Sequence, residues 1–242
     1  MAKIHIMLQG KGGVGKSFIS ALLAQYKLEK GQAPACIDTD PVNGTFSGYK
    51  ALNVQKVEIL EDDEINPRKF DLLVEAIARS NGFDVIIDNG ASTFVPLCHY
   101  MIENQIPALM NNMGHELVIH TVVTGGQALD DTVNGFVHLV SQFPEPAVFA
   151  VWLNPYWGPV EHERNTFEKF KAYREHKSRV SAIVTIPRLK EQTFGRDLSD
   201  MLQQKLTFDE ALAMDSLTIM TRQRLKIIKT KLFQQMDSAV IL

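Results

Sequence analysis

The segment from Gln9 to Ser17 constrains the fold more strongly than any other part of the chain. It reads Gln-Gly-Lys-Gly-Gly-Val-Gly-Lys-Ser, so that four residues separate Gly10 from the Gly15-Lys16-Ser17 triplet. An apolar run over residues 4–8 precedes it, and a helical pattern follows it. A glycine-rich loop between a strand and a helix is the context that identifies a phosphate-binding P-loop. The motif therefore predicts a nucleotide site at the start of an α/β sheet.

The composition of this loop suits it to binding phosphate. Its glycines let the backbone wrap around an anion, so that successive N–H groups and a helix N-terminus point at the phosphate oxygens. We expect Lys16 to reach the β- and γ-phosphates and the hydroxyl of Ser17 to ligate Mg²⁺. The residues of this segment expected to contact ATP are Gly10, Lys11, Gly12, Gly13, Val14, Gly15, Lys16, Ser17 and Phe18.

Strand and helix patterns alternate along the chain. Short apolar runs predict strands over residues 4–8, 34–37, 85–87, 117–123, 148–153 and 180–186. Helical patterns follow the P-loop and recur near 67–80, 96–110, 127–142, 164–176 and 208–236. This alternation predicts an α/β fold: a single P-loop NTPase domain over residues 1–242, with a mainly parallel twisted sheet covered by helices on both faces. The least periodic segment, 44–63, is expected to be a mobile loop.

Composition narrows the class of protein. The chain has 242 residues, of which 45 % are hydrophobic, and its formal net charge of −3 provides no general attraction to nucleic acid or anionic membranes. The two cysteines, Cys36 and Cys98, lie in apolar stretches and are expected to be buried hydrophobic residues. We find neither a signal-peptide pattern nor an apolar run long enough to span a membrane, and therefore expect a cytoplasmic protein.

Carboxylates follow two of the predicted strands. Asp38 and Asp40 come after the second strand, and Asp88 ends the third. Ligands of open α/β sheets bind beyond the carboxyl ends of the strands, and a P-loop ATPase needs carboxylates there to hold the water shell of Mg²⁺ and to orient the attacking water. The alternatives are structural: Asp40, which precedes a proline, could begin a turn, and Asp88 could cap the next helix.

The second lysine of the loop, Lys11, points to a particular family. With Lys16, it makes the loop resemble the deviant Walker A motif of the ParA/MinD family of ATPases. The resemblance implies that Lys11 crosses a dimer interface to the nucleotide bound by the other chain, so that two ATP molecules lie between two copies in a nucleotide-dependent homodimer. The alternative is a solvated loop lysine.

Other segments resemble this family in the same order. Asp38-Thr39-Asp40-Pro41 resembles its switch I, which implies a role near Mg²⁺ for Asp38 and a catalytic, water-orienting role for Asp40, beside the catalytic Lys11 and Lys16. Asp88 matches the Walker B position, and the metal-site residues are therefore Ser17, Asp38 and Asp88. The family often has glutamine where this chain has Val42 and prolines where it has Asn89-Gly90-Ala91. These departures leave the rate of hydrolysis open.

Two later segments suit a base pocket. Asn154 follows an apolar strand and could offer a donor and acceptors to adenine, although it could also be a turn residue before Pro155. The sequence at 185–188 is Thr-Ile-Pro-Arg and resembles the family's base-lining segment, which implies that Pro187 and Arg188 contact the nucleotide.

A basic run near the C-terminus is the main candidate for contact with DNA. On a helix, its cations flank both sides of an apolar stripe made of Leu225, Ile228, Leu232 and Met236. This arrangement favours a docked helix over a surface that tracks phosphates, and direct binding of DNA stays an alternative.

The resemblance implies an ATP-driven dimerisation switch with slow, partner-stimulated hydrolysis. The whole chain also resembles ATPase-like conjugal transfer proteins of broad-host-range plasmids, which implies a role in plasmid DNA transfer or partition-like positioning through an unidentified protein partner. Three alternatives are an ATP-binding scaffold with little turnover, an enzyme that acts on a small metabolite as dethiobiotin synthetase-like relatives do, and an iron–sulfur electron carrier.

Overall fold

A parallel β-sheet of seven strands forms the centre of the protein. The computed structural model describes residues 1–80, 82–239 and 241–242. The strands are β1 (Lys3–Met7), β2 (Ala35–Asp38), β3 (Gln55–Lys56), β4 (Leu60–Glu61), β5 (Glu64–Ile65), β6 (Val85–Asp88), β7 (Glu116–Thr124), β8 (Val148–Asn154), β9 (Glu161–His162), β10 (Asn165–Thr166) and β11 (Val180–Thr185). The sheet order is β11-β8-β7-β1-β6-β2-β3, and each neighbouring pair is parallel. The remaining strands form two short antiparallel hairpins.

Helices cover both faces of this sheet. They are α1 (Lys16–Glu29), α2 (Asp71–Ala78), α3 (Phe94–Glu103), α4 (Ile106–Asn112), α5 (Leu129–Gln142), α6 (Lys171–His176), α7 (Arg196–Gln203), α8 (Phe208–Ala213) and α9 (Ile219–Asp237). Within the described ranges, no helix combines the length and the apolar character that a membrane span needs. The expected fold class, a parallel sheet with helices on both faces, is confirmed.

All six predicted strands are present, and each boundary lies within one residue of the prediction. The predictions succeed because these strands are continuous apolar runs: β6, for example, is buried at every position. The seventh strand, β3, has only two residues and both are exposed, so no apolar pattern in the sequence predicts it.

The helix predictions are wrong at three places. The helix expected over 96–110 is interrupted at Gln105, whose φ of 50° is incompatible with a continuous helix. The helix expected over 208–236 is divided into α8 and α9. The helix expected from 164 begins only at Lys171, because the β9–β10 hairpin precedes it with Glu163 and Arg164 at positive φ.

The segment 44–63, expected to be a mobile loop, is anchored in the protein. Phe46, Tyr49 and Leu52 are buried in the core, and Ile59 is fully buried. Its residues do not alternate regularly because each anchor points into the core from a turn, a single 3₁₀ turn or irregular backbone. Lack of periodicity here reflects irregular backbone and not weak packing.

Two hydrophobic cores lie on opposite faces of the sheet. The first core contains Ile4 and Ile6 of β1 with the apolar residues of α2 to α5, whereas the second core contains Met7 with those of α1 and α7 to α9. The predicted apolar stripe of α9 is buried in the second core, since Leu225, Ile228, Leu232 and Met236 are at most 1 % exposed. Helix α9 is therefore docked, as expected.

Three polar side chains from neighbouring strands contact one another on the face of the sheet that carries the second core. The indole Nε1 of Trp152 donates to Nδ1 of His120 at 2.9 Å, and Nε2 of His120 lies 2.9 Å from Nδ1 of His5. Since His120 accepts at Nδ1, its proton is on Nε2 and is donated to His5. The remaining Nε2 of His5 is buried without a hydrogen-bond partner among the described residues. Burial lowers the pKa of His120 to about 3 and that of His5 well below 6.5.

These histidines should make the stability of the fold sensitive to acid. Their pKa values are depressed in the folded state, so below pH 6.5 the unfolded chain binds more protons than the folded one. For each histidine the free energy of unfolding should fall by about 1.4 kcal/mol per pH unit as the pH decreases below 6.5. Asp88, whose pKa burial raises to about 7, offsets one of the two histidines in this range, so the net fall should be about 1.4 kcal/mol per pH unit. Urea unfolding followed by circular dichroism between pH 7.5 and 5 measures this slope. A slope of zero, or a slope of opposite sign, would contradict the assignment.

Candidate nucleotide-binding site

The P-loop lies at the carboxyl edge of the sheet, between β1 and α1. Strand β1 is flanked there by β6 and β7, with β2 and β8 next in order. The carboxyl ends of β2, β6 and β8 carry Asp38, Asp88 and Asn154, all buried beside the loop. The structure thus brings together the loop, the two strand-end carboxylates and the asparagine that the sequence separates by up to 140 residues.

The backbone of the loop is held open by two glycines. Gly13 has a φ of 72° and Gly15 a φ of 102°, conformations that residues with side chains rarely adopt. Helix α1 begins directly after Gly15, which has no side chain that could cap the helix. The first N–H groups of α1 are therefore available to an anion, as the motif predicts.

Lys16 is folded into the loop. Its Nζ donates to the carbonyl oxygens of Gln9 at 2.9 Å and Lys11 at 3.0 Å, so that it spans the loop from within. Burial lowers the pKa of Lys16, while the nearby carboxylates of Asp88 and Asp40 raise it. The ammonium group is thus held by carbonyl oxygens of the loop itself, and its expected contact with the β- and γ-phosphates stays a prediction.

Gln9 connects the loop to β7 and α5 through side-chain hydrogen bonds, a role that the sequence did not predict. Its Nε2 donates to the carbonyl oxygens of Val122 at 2.9 Å and Thr132 at 3.2 Å, and its Oε1 accepts from the N–H of Lys11 at 3.3 Å. Gly135 of α5 makes room for it, because a Cβ there would lie 2.5 Å from that oxygen. A polar residue at the end of an apolar strand was the available sign of this role.

Asp88 has the burial and the unpartnered oxygen expected of a carboxylate near a cation site. Its Oδ1 accepts from the hydroxyl of Ser20 at 2.9 Å, and its Oδ2 is buried with no hydrogen-bond partner in the described part of the chain. Burial raises the pKa of Asp88 to about 7, and Asp38 adds to the rise, whereas Ser17 and Lys16 oppose it. An orphaned carboxylate oxygen beside Ser17 fits a Mg²⁺-bound water. The alternative role as a helix cap is wrong, since α3 begins only at Phe94, after Thr93.

Asp38 and Asp40 both organise the loop that follows β2. The carboxylate of Asp38 accepts from the N–H groups of Asp40 at 3.0 Å and Ser47 at 2.8 Å. Oδ1 of Asp40 accepts from the N–H groups of Val42 at 2.9 Å and Asn43 at 3.2 Å. Asp40 therefore does form the turn considered as its structural alternative. The geometry places it beside Lys16 with its Oδ1 already engaged by the backbone.

The segment after β6 is shaped around Asp40. A Cβ on Gly90 would lie 2.8 Å from the carboxyl group of Asp40, so only glycine allows this approach. Asn89 accepts from the hydroxyls of Thr93 and Thr39, and Thr39 also donates to the carbonyl of Asp88 at 2.9 Å. The segments that follow β2 and β6 are thus joined by the hydrogen bonds of Thr39, which gives a structural reason for Asn89, and the close approach of Asp40 gives one for Gly90.

Lys11 points away from the loop to which it belongs. Its Nζ lies 2.7 Å from Oδ2 of Asp131 in the first turn of α5, and the two side chains are 46 % and 58 % exposed. The backbone of Lys11 contributes to the loop through its carbonyl, but its charge is at the surface. The charge of Lys11 therefore lies at the surface, paired with Asp131, and its expected contact with the nucleotide of a second chain stays a prediction.

The residues predicted to contact the adenine base are less closely grouped than those around the P-loop. Nδ2 of Asn154 donates to the carbonyl of Val14 at 2.9 Å, and Oδ1 accepts from the N–H of Tyr156 at 3.1 Å. Asn154 is therefore a turn residue that also ties β8 to the P-loop. Pro187 and Arg188 follow β11, which pairs with β8, and Arg188 is exposed. The described contacts leave the assignment of all three to the base a prediction.

Comparison with known proteins places the chain in a family. A family model for the CobQ/CobB/MinD/ParA nucleotide binding domain matches residues 6–228. The chain therefore belongs to this family of nucleotide-binding proteins. It is 68 % identical to Protein TraL of Escherichia coli over 242 residues, which cover 100 % of both chains.

Solved structures support the fold. The cell division ATPase MinD of Pyrococcus furiosus superposes with a TM-score of 0.57 over 98 % of this chain and 99 % of that chain, at 14 % identity. The septum site-determining protein MinD of Pyrococcus horikoshii, complexed with Mg-ADP, gives a TM-score of 0.57 over 100 % and 99 %, at 16 % identity. Because the identities are low, these similarities establish a shared fold and nothing further.

The support of the loop by Gln9 can be tested at Gly135. Replacement of Gly135 by alanine should push against Gln9 and lower the free energy of unfolding by about 1–3 kcal/mol, although alanine ordinarily favours a helix over glycine. Affinity for ATP, measured by isothermal titration calorimetry, should fall as well. Asn134→Ala on the exposed side of the same helix is the control: it should raise the stability slightly through helix propensity and leave the affinity for ATP unchanged. An increase in stability for Gly135→Ala would contradict the role of Gln9.

Proposed function

We propose that the protein is a Mg-ATP-dependent dimerisation switch that hydrolyses ATP slowly. The observation that carries the proposal is the contrast between the two lysines of one loop. Lys16 is buried under the loop, where it suits the phosphates bound by its own chain, whereas Lys11 is exposed at the loop's edge and held only by a surface ion pair. A cation in that position would be suited to contact the phosphates of a nucleotide bound by a second copy of the protein.

The buried groups support binding of Mg-ATP. Lys16 and the N–H groups at the start of α1 would hold the phosphates, and Ser17 with Asp88 would hold the metal ion. The ion supplies neutralisation of phosphate charge when it is bound. Asp38, whose charge acts on Asp88, would lie near the metal ion, and its two backbone hydrogen bonds also keep the following loop in place.

The surface around the P-loop supports burial against a second copy. Val42 is 74 % exposed after β2, and Tyr156 and Trp157 are 76 % and 60 % exposed after β8. We call these three residues with Lys11 the P-loop face. Exposed aromatic side chains are unusual here, since most of the large aromatic residues lie in the core. Their burial in a homodimer would be favourable and would bring Lys11 close to the other chain.

Similarity to Protein TraL supports a role in plasmid conjugal DNA transfer or partition-like positioning, in the cytoplasm and through a protein partner of that machinery. Direct binding of DNA has less support. Arg224 pairs with Asp197, and Lys229 pairs with both Glu29 and Asp209. These pairs neutralise two of the cations that a DNA-binding helix α9 would use.

A scaffold that binds ATP without turnover is the second candidate function. It is favoured by the hydrogen bonds to both oxygens of Asp40, from the backbone to Oδ1 and from Nδ2 of Asn43 to Oδ2 at 3.3 Å. The carboxylate must release or share one of these bonds to orient a water molecule. Single-turnover release of phosphate, measured with and without added DNA or conjugation proteins, distinguishes the two. Absence of release under all conditions would favour the scaffold.

The remaining alternatives gain no support. Cys98 packs in the first core and Cys36 in the second, on opposite faces of the sheet. Burial raises the pKa of both thiols to about 12, so neither is suited to supply the thiolate ligands of an iron–sulfur cluster. An enzyme acting on a small metabolite would show ADP release that depends on the metabolite.

The switch predicts that dimers require ATP and Lys11. With ATP and Mg²⁺, the Asp40→Asn protein should be dimeric in light scattering, because asparagine keeps the acceptor for Val42 and Asn43 while slowing hydrolysis. Adding Lys11→Ala should raise the dimer dissociation constant at least about tenfold. Asp131→Asn frees Lys11 from its surface ion pair and should lower that constant about two- to fivefold. A monomer in every case, with Lys11→Ala identical to its parent, would contradict the proposal.

Trp157 offers an optical test of the P-loop face. The chain has two tryptophans, of which Trp152 is fully buried and Trp157 is 60 % exposed. Dimerisation should bury Trp157, so the emission of the Asp40→Asn protein should move to shorter wavelength when ATP and Mg²⁺ are added. The matched protein with Trp157→Phe retains only Trp152 and should show little change. A shift that persists without Trp157 would place the change elsewhere.

A further inference from the structure

A cleft between α1, α8 and α9 lies outside the candidate nucleotide site. Its volume is ≈ 560 Å³, which is within the range of protein ligand pockets. It is lined by Glu29 at the end of α1, Leu212 of α8, and Ile219, Arg222, Lys226 and Lys229 of α9. We call this the α9 cleft.

The α9 cleft is remote from the P-loop face. Helix α1 begins at Lys16 in the P-loop and ends at Glu29 in the cleft. With 14 residues, it separates the two sites by about 21 Å. The cleft would therefore stay open if two copies joined through the P-loop face, and α1 connects the two sites directly.

Apolar side chains at the start of α9 are exposed, although neither the start of the helix nor its packing against the protein depends on them. Ile219 is 78 % exposed and Met220 is 58 % exposed. The helix start is capped by Thr218, whose hydroxyl accepts from the N–H of Thr221 at 3.1 Å, and α9 is held to the protein by its buried stripe. Neighbouring exposed apolar residues beside a cleft are typical of a binding surface.

Two cations in the α9 cleft are free for an external partner. Arg222 and Lys226 lie one helical turn apart, and neither forms an ion pair within the described residues. Like charges at this spacing repel each other and destabilise a helix slightly. Lys229, one turn further, is instead neutralised by Glu29 at 2.8 Å and Asp209 at 2.7 Å.

We propose that the α9 cleft binds an acidic segment of a partner protein, most simply a helix with carboxylates beside an apolar face. Its carboxylates would pair with Arg222 and Lys226, while its apolar residues would cover Ile219 and Leu212. The cleft thus uses the helix-in-groove mode of recognition. This inference does not depend on ATP binding or on dimerisation.

Other macromolecules fit the α9 cleft less well. Duplex DNA presents a long row of closely spaced phosphates, whereas the cleft has only two unpaired cations among the described residues, set beside an apolar lining. A membrane-binding helix needs an exposed apolar face, but the stripe of α9 is buried in the second core. Charge and shape together favour an acidic, partly apolar peptide.

The test uses the full-length protein without nucleotide and a short fluorescein-labelled helical peptide of glutamate and leucine. Fluorescence anisotropy should show binding that weakens at least about tenfold in the Arg222→Glu/Lys226→Glu protein. Ile219→Ser should weaken it by roughly a similar factor, since the residue would no longer bury its side chain. A peptide with glutamine in place of leucine should also bind more weakly.

Matched controls separate this site from general charge effects. Lys169→Glu/Lys177→Glu makes the same change in net charge at exposed positions on the other side of the sheet, and Leu72→Ser removes an exposed apolar residue there. Both should leave binding unchanged, and thermal unfolding should show that all variants fold. The inference is overturned if the control pair weakens binding equally, or if the glutamine peptide binds as well as the original. It is also overturned if duplex DNA or phosphatidylglycerol vesicles bind more tightly and depend on Arg222 and Lys226.

Discussion

Buried hydrogen bonds from three directions hold the P-loop in shape. Lys16 bonds to two carbonyl oxygens from inside the loop, Gln9 connects it to β7 and α5, and Asn154 holds the carbonyl of Val14 from the end of β8. Loss of one partner would leave a buried polar group unsatisfied at a cost of about 1–3 kcal/mol. The loop is therefore fixed by the central strands of the sheet, and any change in β7, β8 or α5 reaches the phosphate site through these bonds.

The buried carboxylate of Asp88 complements this rigid loop. A carboxylate with one unpartnered oxygen is costly to bury, which is why its pKa is raised to about 7. A cation bound beside this carboxylate would offset that cost. Asp40 lies on the other side of the same unit, between Lys16 and Gly90, where a shift of the loop after β2 would change its hydrogen bonds.

Particular residues show how far the sequence could be interpreted. Strands buried on both faces are continuous apolar runs, and their prediction is confirmed, whereas the anchored segment 44–63 lacks any period although Phe46 and Tyr49 are buried. Asp40 and Asn154 were each assigned a chemical role with a turn as the alternative, and both turns are present. The supporting role of Gln9 was missed because its partners, Val122 and Thr132, are more than 110 residues away.

The sequence alone determined the P-loop motif, six of the seven strands of the central sheet, the positions of Asp38 and Asp88 at strand ends, and the resemblance to ParA/MinD proteins. These features depend on local spacing and on periodicity. Only the tertiary structure decided that Lys11 pairs with Asp131 while Lys16 is buried, and that α9 leaves an open cleft beside α1. The reason is that environment, and not spacing, fixes the role of a charge, and environment is made by residues distant in the chain.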